Sequence, residues 1–329
     1  MRAIYLNKNI STIDWVFSAE TQRALAEKLD ILGKITPDEM DEKADILART
    51  DIIFSTWGMP ELTGAEIERY LPNLKAVFYA AGSVQYFARP FIERGIIVCS
   101  SWQANGIPVA EYTTASILLS NKGMLRRAED YRTDKSKSRP NIFPGNFGCR
   151  VGLIGFGAIG RKVAELMKPF RVELLAYDPY VSDDVMGALG VKRASLEEIF
   201  ATCQTVSNHL PNNEKTRGML NYGLFRLMKP NATFINTGRG AQVVEDDLIR
   251  ALREEPSRTA ILDVTWPEPC PAESPLWSLP NVLITPHIAG SLGDEVMRMG
   301  EYMQDECACY LAGEPLKYSV SLNMLENMA

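Results

Sequence analysis

The segment 151–160, which reads VGLIGFGAIG, constrains the fold more than any other part of this sequence. Gly155, Gly157 and Gly160 form the pattern G-x-G-x-x-G. The apolar run 151–154 before the glycines predicts a buried strand, and the apolar positions 159, 163, 166, 167 and 170 after them fall on one face of a helix. A glycine pattern between a strand and a helix is typical of a βαβ unit that binds a dinucleotide.

Each glycine has a physical role in such a site. The first permits a tight turn, the second lets the backbone approach a pyrophosphate, and the third lets the helix pack closely on the strand. Ala158 and Ile159 then begin the helix, whose N-terminal N–H groups favour phosphate. Asp178 ends the next predicted strand, 21 residues past Gly157, where a carboxylate accepts hydrogen bonds from ribose hydroxyls and repels a 2′-phosphate. No Arg or Lys lies in 179–184, so the sequence predicts NAD in preference to NADP.

Two series of alternating strand and helix patterns run through the 329 residues, one before residue 121 and one from residue 151. Such alternation predicts parallel α/β sheets, and at roughly 150 residues per domain the length predicts two domains. Residues 133–150 are polar and contain two prolines and two glycines, which predicts a loop.

Composition excludes several classes of function. Lys and Arg total 35 against 41 Asp and Glu, a net charge of −6, so the basic footprint of a nucleic-acid-binding protein is absent. No run of about 18 apolar residues predicts a membrane span, and the N-terminus lacks the pattern of a signal peptide. The six cysteines are scattered and their one close pair is C-x-C, so we expect reduced thiols in a cytoplasmic protein and no metal site.

The predicted strands of the second series end in segments that could carry chemistry. The sequence contains only two histidines, His209 in SNHLP and His287 in TPHIAG, and each directly follows an apolar strand. The segments NTGRG and DVTWPEP end two further strands. Parallel sheets bind their ligands at the carboxyl ends of the strands. Arg239, which lies between two glycines, could bind a carboxylate through two hydrogen bonds.

Together these segments resemble the D-isomer-specific 2-hydroxyacid dehydrogenase family, over nearly the whole chain from AAGS at 80–83 to GEPL at 313–316. The resemblance implies two Rossmann-like parallel-sheet domains with a cleft between them. The NAD-binding Rossmann domain would comprise residues 116–295. A flavodoxin-like substrate domain would comprise residues 1–115 and 296–329.

The resemblance also implies the site residues for transfer of a hydride between NAD(H) and a small 2-keto or 2-hydroxy acid. The catalytic residues would be Arg239, Glu268 and His287. His287 would donate the proton, Glu268 would orient the imidazole and stabilise its charged form, and Arg239 would bind the substrate carboxylate. The N–H groups of the loop at Ala81, Gly82 and Ser83 would assist Arg239. The remaining residues implied to lie at the cofactor are His209, Leu210, Pro211, Thr216, Thr237 and Asp263.

Several alternatives remain open at this stage. Formate dehydrogenase is a relative, but its histidine is paired with glutamine, and Glu268 argues against that reading. An NAD(H)-sensing binding protein is the second alternative, since the C-terminal binding protein corepressors share the fold and the three catalytic residues. The resemblance implies a homodimer, with a candidate contact surface at Arg126, Arg127 and Tyr131.

The sequence departs from the usual pattern at Thr237-Gly238 and Thr265-Trp266, and these departures leave the substrate open. Phosphoglycerate, glyoxylate, hydroxypyruvate and branched keto acids are all compatible. Three aromatic residues could line the substrate pocket, although a place in the core is the more frequent role of such side chains. They are Trp57, Tyr79 and Trp102.

Overall fold

The computed structural model of the chain describes residues 1–134 and 142–325. The predicted loop at 133–150 therefore lies partly outside the described residues. In chain order the elements of the first part are β1 (Arg2–Leu6), α1 (Ile10–Val16), α2 (Ala19–Ala26), β2 (Asp30–Ile35), α3 (Ala44–Leu47), β3 (Ile52–Ser55), α4 (Gly64–Tyr70), β4 (Ala76–Tyr79), α5 (Ala88–Ile92), β5 (Ile97–Ser100), α6 (Trp102–Asn121) and α7 (Met124–Thr133).

The second part begins with the strand that leads into the glycine pattern. Its elements are β6 (Phe147–Ile154), α8 (Ala158–Met167), β7 (Arg171–Tyr177), α9 (Asp183–Ala188), β8 (Val191–Arg193), α10 (Leu196–Thr202), β9 (Thr205–Asn208), α11 (Tyr222–Phe225), β10 (Thr233–Asn236), α12 (Glu245–Glu254), β11 (Thr259–Leu262), β12 (Val282–Ile284), α13 (Met297–Ala312) and α14 (Leu322–Leu325). Short 3₁₀ helices lie at Pro37–Glu39, Gly240–Gln242, Pro275–Ser278 and Gly293–Val296.

The chain divides into two compact units. Unit 1 comprises Met1–Gly106 and Ser291–Ala329, and unit 2 comprises Ile107–Gly290. Unit 1 is thus built from both ends of the chain and unit 2 from its middle. The divisions fall after residues 106 and 290, whereas the sequence analysis placed them after residues 115 and 295.

Unit 1 contains a five-stranded parallel sheet in the order β2-β1-β3-β4-β5. This is the strand order of flavodoxin-like folds. Strands β3 and β4 are buried along their whole length because helices cover both faces of such a sheet. Tyr5, Phe17, Phe54 and Phe78 pack against one another at its centre, with ring centroids 5.5–5.8 Å apart.

Unit 2 contains a seven-stranded parallel sheet in the order β12-β11-β10-β9-β6-β7-β8. The chain winds outward from β6 through β7 and β8, and then in the other direction from β9 through β12. The strand order therefore reverses between β6 and β9, which is the point where Rossmann folds bind their ligand. The predicted fold class, two parallel α/β domains of which one is Rossmann-like and one flavodoxin-like, is confirmed.

The helices and edge strands differ from the sequence-based expectation in three places. Apolar residues at helical spacing in 21–31 predict one helix, but α2 ends at Ala26 and β2 begins at Asp30. Proline is favourable in the first turn of a helix, so Pro108 predicts a helix start, but α6 begins at Trp102 and Pro108 lies inside it. The sequence pattern predicts no strand at β8, because two of its three residues are exposed polar side chains. In the described ranges no helix is long and apolar enough to cross a membrane.

Candidate active site

The glycine turn after β6 has the geometry that its three glycines predict. Gly155 has φ of +91°, and a Cβ there would lie 2.7 Å from the carbonyl oxygen of His209. A Cβ on Gly160 would lie 2.4 Å from the carbonyl oxygen of Gly155, so the first turn of α8 packs directly on the loop. Gly157 caps the N-terminus of α8, and no described atom lies within 4 Å of the position its Cβ would take. The backbone at Gly157 is therefore open to a ligand.

Asp178 follows β7 and its carboxylate shapes this turn. One oxygen accepts a hydrogen bond from Phe156 N at 2.8 Å, and the other accepts one from Tyr180 N at 2.9 Å. Arg193, at the end of β8, donates to the carbonyl of Asp178 at 2.6 Å and pairs with the carboxylate of Asp183. Arg193 therefore holds the segment 178–183 at both ends. No motif in the sequence predicts this contact.

His209 lies directly across from the glycine turn, after β9. Its backbone N donates to the carbonyl of Ile154 at 2.7 Å. Both ring nitrogens are buried and have no hydrogen-bond partner in the part of the chain that the structure describes. Burial lowers the pKa of His209 to about 4, so the ring is neutral at neutral pH. A buried neutral ring without a hydrogen-bond partner is poorly suited to donate or accept a proton, so His209 is not one of the residues proposed as acid or base.

Arg239 lies in the loop after β10, inside unit 2. Its Nη1 donates to the carbonyl of Gly238 at 2.8 Å, and no ion pair to Arg239 occurs within residues 1–134 and 142–325. Burial lowers the pKa of Arg239, and the charge of Glu268 partly offsets this effect. Gly240 is required next to it because a Cβ there would lie 2.0 Å from the carbonyl of Thr265. The guanidinium is thus a partly buried cation that forms no ion pair with a carboxylate among the described residues.

Glu268 and His287 form a direct pair. His287 Nδ1 lies 2.5 Å from Glu268 Oε1, and both side chains are partly exposed. Since Nδ1 is engaged by the carboxylate, Nε2 is the free ring nitrogen, and it has no hydrogen-bond partner among the described residues. Arg239, Glu268 and His287 thus all lie in unit 2, where Glu268 pairs with His287 and its charge acts on Arg239.

The loop that carries His287 is held by Asp263. One oxygen of this buried carboxylate accepts from Thr285 Oγ1 at 2.7 Å and Ile288 N at 2.8 Å, and the other accepts from Ala289 N at 2.9 Å. His287 itself has φ of +53°, a left-handed conformation that is costly for a residue with a side chain. The bonds on both sides of His287 hold it in that conformation, so Asp263 contacts the loop of the histidine in addition to its predicted place near the cofactor.

The other residues predicted at the cofactor shape the loops at the carboxyl ends of β9 and β10. Thr216 Oγ1 donates to the carbonyl of Pro211 at 2.6 Å and closes the loop after β9. Leu210, in the same loop, is buried. Thr237 is buried and its hydroxyl lies 3.1 Å from that of Thr113 in α6.

Ala81, Gly82 and Ser83, the predicted substrate loop, belong to unit 1 and follow β4. Ser100 Oγ donates to the carbonyl of Ala81 at 2.9 Å and to that of Gly82 at 2.6 Å. The N–H groups of the three residues have no acceptor in the described part of the chain. Of the three aromatic residues considered for the pocket, Tyr79 is buried, Trp102 is half-buried and Trp57 is 37% exposed beside Trp15.

Comparison with known proteins decides the family. Residues 114–289 match the family model of the D-isomer specific 2-hydroxyacid dehydrogenase, NAD binding domain. A putative 2-hydroxyacid dehydrogenase of Bacillus subtilis, YoaD, is 37% identical over 250 residues, which cover 74% of this chain and 68% of that protein. The chain belongs to the D-isomer specific 2-hydroxyacid dehydrogenase family. The family resemblance that the sequence motifs indicated is thereby confirmed.

Two further proteins show how far the similarity extends. The D-3-phosphoglycerate dehydrogenase of Archaeoglobus fulgidus is 29% identical over 263 residues, which cover 80% of this chain and 50% of that protein. The chain thus matches about half the length of this relative. The crystal structure of a phosphoglycerate oxidoreductase from Rhizobium etli superimposes with a TM-score of 0.81 at 23% identity, over 97% of both chains, and supports the fold.

NAD is the cofactor of this family's matched domain, as the sequence analysis predicted. The residues of unit 2 fit it. The open backbone at Gly157 and the N-terminus of α8 suit the pyrophosphate, and the Asp178 carboxylate lies beside the glycine turn, where the adenosine ribose of a dinucleotide would be bound. No group of three potential metal ligands is found among residues 1–134 and 142–325.

A set of polar residues at the ends of β9 and β10 was not predicted from the sequence. Buried carboxamides at Asn208, Asn236 and Gln242 join the loops after β9 and β10. Glu245 accepts a hydrogen bond from Trp266 N at 3.1 Å and so contacts the segment that carries Glu268, and burial raises its pKa. The available signal was the presence of amide side chains directly after apolar strands, in SNHLP and INTGRG.

Proposed function

We propose that this protein is an NAD-dependent dehydrogenase that interconverts a small 2-keto acid and the corresponding D-2-hydroxy acid. The observation that carries the proposal is the partly buried guanidinium of Arg239, which forms no ion pair in the described ranges, in the same unit as the His287–Glu268 pair. A substrate carboxylate would supply the missing negative charge. A carbonyl next to that carboxylate would need the proton that His287 can provide.

In the direction of reduction, bound NADH would be the source of the hydride that the carbonyl carbon receives. Nε2 of His287 gives its proton to the carbonyl oxygen as the C–H bond forms, so the carbonyl becomes a hydroxyl. Glu268 holds Nδ1 of the same ring, which fixes its orientation and stabilises the imidazolium before the transfer. Arg239 holds the substrate carboxylate and stabilises the charge that develops on the carbonyl oxygen. In the direction of oxidation, Nε2 accepts the hydroxyl proton.

The assignment of Ala81, Gly82 and Ser83 to the substrate carboxylate is also part of this proposal. Three backbone N–H groups without an acceptor in the described residues are suitable donors for an anion. Which 2-keto acid is accepted depends on the side chain next to the carbonyl. We propose a small one, among phosphohydroxypyruvate, glyoxylate, hydroxypyruvate and branched keto acids.

We propose NAD rather than NADP as the preferred cofactor. Two backbone N–H groups hold the Asp178 carboxylate beside the glycine turn, where its negative charge would repel a 2′-phosphate.

We also propose a cytoplasmic homodimer formed through unit 2. Its candidate surface carries Leu119, Met124 and Leu283, which are exposed around a cavity of about 280 Å³. Tyr131, which lies on α7 like Met124, is also exposed. Exposed apolar side chains in this number are typical of a subunit contact. Light scattering on the wild type and on Met124→Glu tests it, since a single monomeric mass for both would contradict a dimer.

A panel of small 2-keto acids tests the reaction, with the loss of NADH absorbance as the readout. We expect at least one keto acid to be reduced, a large loss of turnover in His287→Ala and a smaller loss in His209→Ala. Turnover with none of the keto acids, while NADH still binds, would favour the sensing role. Formate oxidation without keto-acid reduction would favour the formate dehydrogenase alternative.

A further inference from the structure

Three buried carboxamides lie together at the carboxyl ends of β9 and β10, behind the proposed site. Asn208 Nδ2 donates to Asn236 Oδ1 at 2.9 Å and to Gln242 Oε1 at 2.5 Å. All three side chains are almost completely excluded from solvent. A buried amide that loses its partner costs more free energy than the bond itself contributes, so a cluster of this kind tolerates few arrangements.

On one side the cluster holds the loop after β9, which is predicted to face the cofactor. Gln242 Nε2 donates to the carbonyl of Leu210 at 2.6 Å and to that of Pro211 at 2.9 Å. Asn208 Oδ1 accepts from Leu210 N at 3.2 Å. The backbone N–H and the backbone carbonyl of Leu210 are therefore both bonded to carboxamides.

On the other side the cluster holds the backbone of Arg239. Gln242 Oε1 accepts from Arg239 N at 3.1 Å, and Asn236 Nδ2 donates to the Arg239 carbonyl at 3.2 Å. Asn236 Oδ1 also accepts from Gly238 N at 3.1 Å. The space around the loop is closed, since a Cβ on Gly238 would lie 2.9 Å from both Asn208 Nδ2 and Gln242 Oε1.

Gln242 is the one member of the cluster whose amide bonds directly to both loops, to carbonyls on the cofactor side through Nε2 and to Arg239 N through Oε1. We propose that Gln242 is a positioning residue that, with Asn208 and Asn236, fixes the 210–211 loop and Arg239 relative to each other. Binding of the cofactor and binding of the substrate carboxylate then depend on the same amide. The second half of this inference rests on the proposed function.

The matched control is Asn281, a buried carboxamide of the same unit outside the site. Its Nδ2 donates to the carbonyls of Leu252 at 3.2 Å and Arg258 at 2.8 Å, as Gln242 Nε2 donates to two carbonyls. The experiment compares Gln242→Met with Asn281→Leu, which both keep the approximate shape and remove the amide. The readouts are the Kd of NADH from its fluorescence, KM and kcat for an accepted keto acid, and Tm.

We expect Gln242→Met to raise the NADH Kd about tenfold and the keto-acid KM about tenfold, with a smaller change in kcat. Asn281→Leu should lower Tm similarly and leave both constants within about twofold of the wild type. An NADH Kd in Gln242→Met within about twofold of the wild type would overturn the proposal. So would an equal rise in the control, because a loss of general stability would then explain both.

If Gln242→Met does not fold, Gln242→Glu replaces it, because glutamate keeps the acceptor for Arg239 N and loses the donor to the two carbonyls. It should raise the NADH Kd more than the keto-acid KM, and an unchanged NADH Kd would overturn the proposal. The NADH measurement needs no turnover. A wild type that binds NADH and reduces no keto acid would therefore contradict the proposed function, while the NADH Kd of the variants would still decide the role of Gln242.

Discussion

His287 Nδ1 lies 2.5 Å from Glu268 Oε1, and this contact joins two loops that are 19 residues apart in the chain. The Glu268 loop is anchored through Trp266 N to Glu245, and the His287 loop is anchored through three donors to Asp263. Two separate carboxylates, Glu245 and Asp263, therefore hold the two loops whose side chains form the pair. The free Nε2 of His287 follows from the engagement of Nδ1.

Substitution of Glu268 by Gln should lower kcat for keto-acid reduction about 10- to 100-fold, because a neutral amide stabilises the imidazolium less than a carboxylate does. The NADH Kd should stay near the wild-type value. Steady-state kinetics and NADH fluorescence check both quantities. Glu273→Gln, an exposed glutamate in the segment after Glu268, is the control and should leave kcat unchanged. Equal kcat in Glu268→Gln and wild type would remove Glu268 from the proposed mechanism.

Substitution of Arg239 by Lys should lower kcat/KM for the keto acid about 100-fold, since an ammonium cannot bind a carboxylate with two parallel bonds. The matched control is Arg258→Lys. Arg258 is a buried arginine of unit 2 whose hydrogen bonds among the described residues all go to backbone carbonyls, those of Met228, Ala251 and Arg226. The control should lose stability without a comparable rise in KM. A similar kcat/KM in the two lysine variants would argue against carboxylate binding by Arg239.

Substitution of Asp178 by Ala should narrow the preference for NADH over NADPH, because it removes the charge that repels a 2′-phosphate. The ratio of kcat/KM for the two cofactors measures this effect. Asp184→Ala, an exposed aspartate in α9, is the control and should keep the wild-type ratio. If Asp178→Ala also keeps that ratio, another group sets the preference.

The buried ring of His209 predicts a pH dependence of stability. Its pKa of about 4 in the folded chain lies below the ordinary value of 6.5, so the unfolded chain binds more protons between these values. The contribution of the neutral His209 ring to the free energy of unfolding is therefore complete above pH 6.5. It is lost as the pH falls toward 4, by up to about 3 kcal/mol. Urea unfolding from pH 4.5 to 7 of the wild type and His209→Phe measures the contribution. If the free energies of unfolding of the two proteins change with pH in parallel, His209 does not make this contribution.

Much of the fold could be predicted from sequence because buried parallel strands are apolar along their whole length. The apolar run at Arg2–Leu6 predicts β1 with its observed bounds. The edge strands β2 and β8 are harder to predict, since an edge position leaves exposed and polar residues in the strand. Pro108 predicts a helix start because proline is favourable there, but α6 begins earlier, at Trp102.

The site could be predicted from sequence where a functional residue lies in a short segment directly after a predicted strand. Arg239, Glu268 and His287 could be named from the motifs around them, and the family resemblance already implied that Glu268 orients the imidazole. Only the structure shows that Glu268 engages Nδ1 and leaves Nε2 free. The Asn208, Asn236 and Gln242 cluster was not predicted. Its members are separated by up to 34 residues, and an amide carries no charge that would mark it as a partner.

Transfer of deuterium from NADH tests the central claim most directly. The protein is incubated with NADH that carries deuterium at both C4 positions of the nicotinamide, so that transfer from either face is detected, and with a keto acid from the panel. The product is analysed by mass spectrometry and chiral chromatography. The account predicts a D-2-hydroxy acid with one deuterium at C2, and no such product with His287→Ala. A protein that binds the labelled NADH and forms no deuterated product with any keto acid, or that forms the L-isomer, would contradict the account.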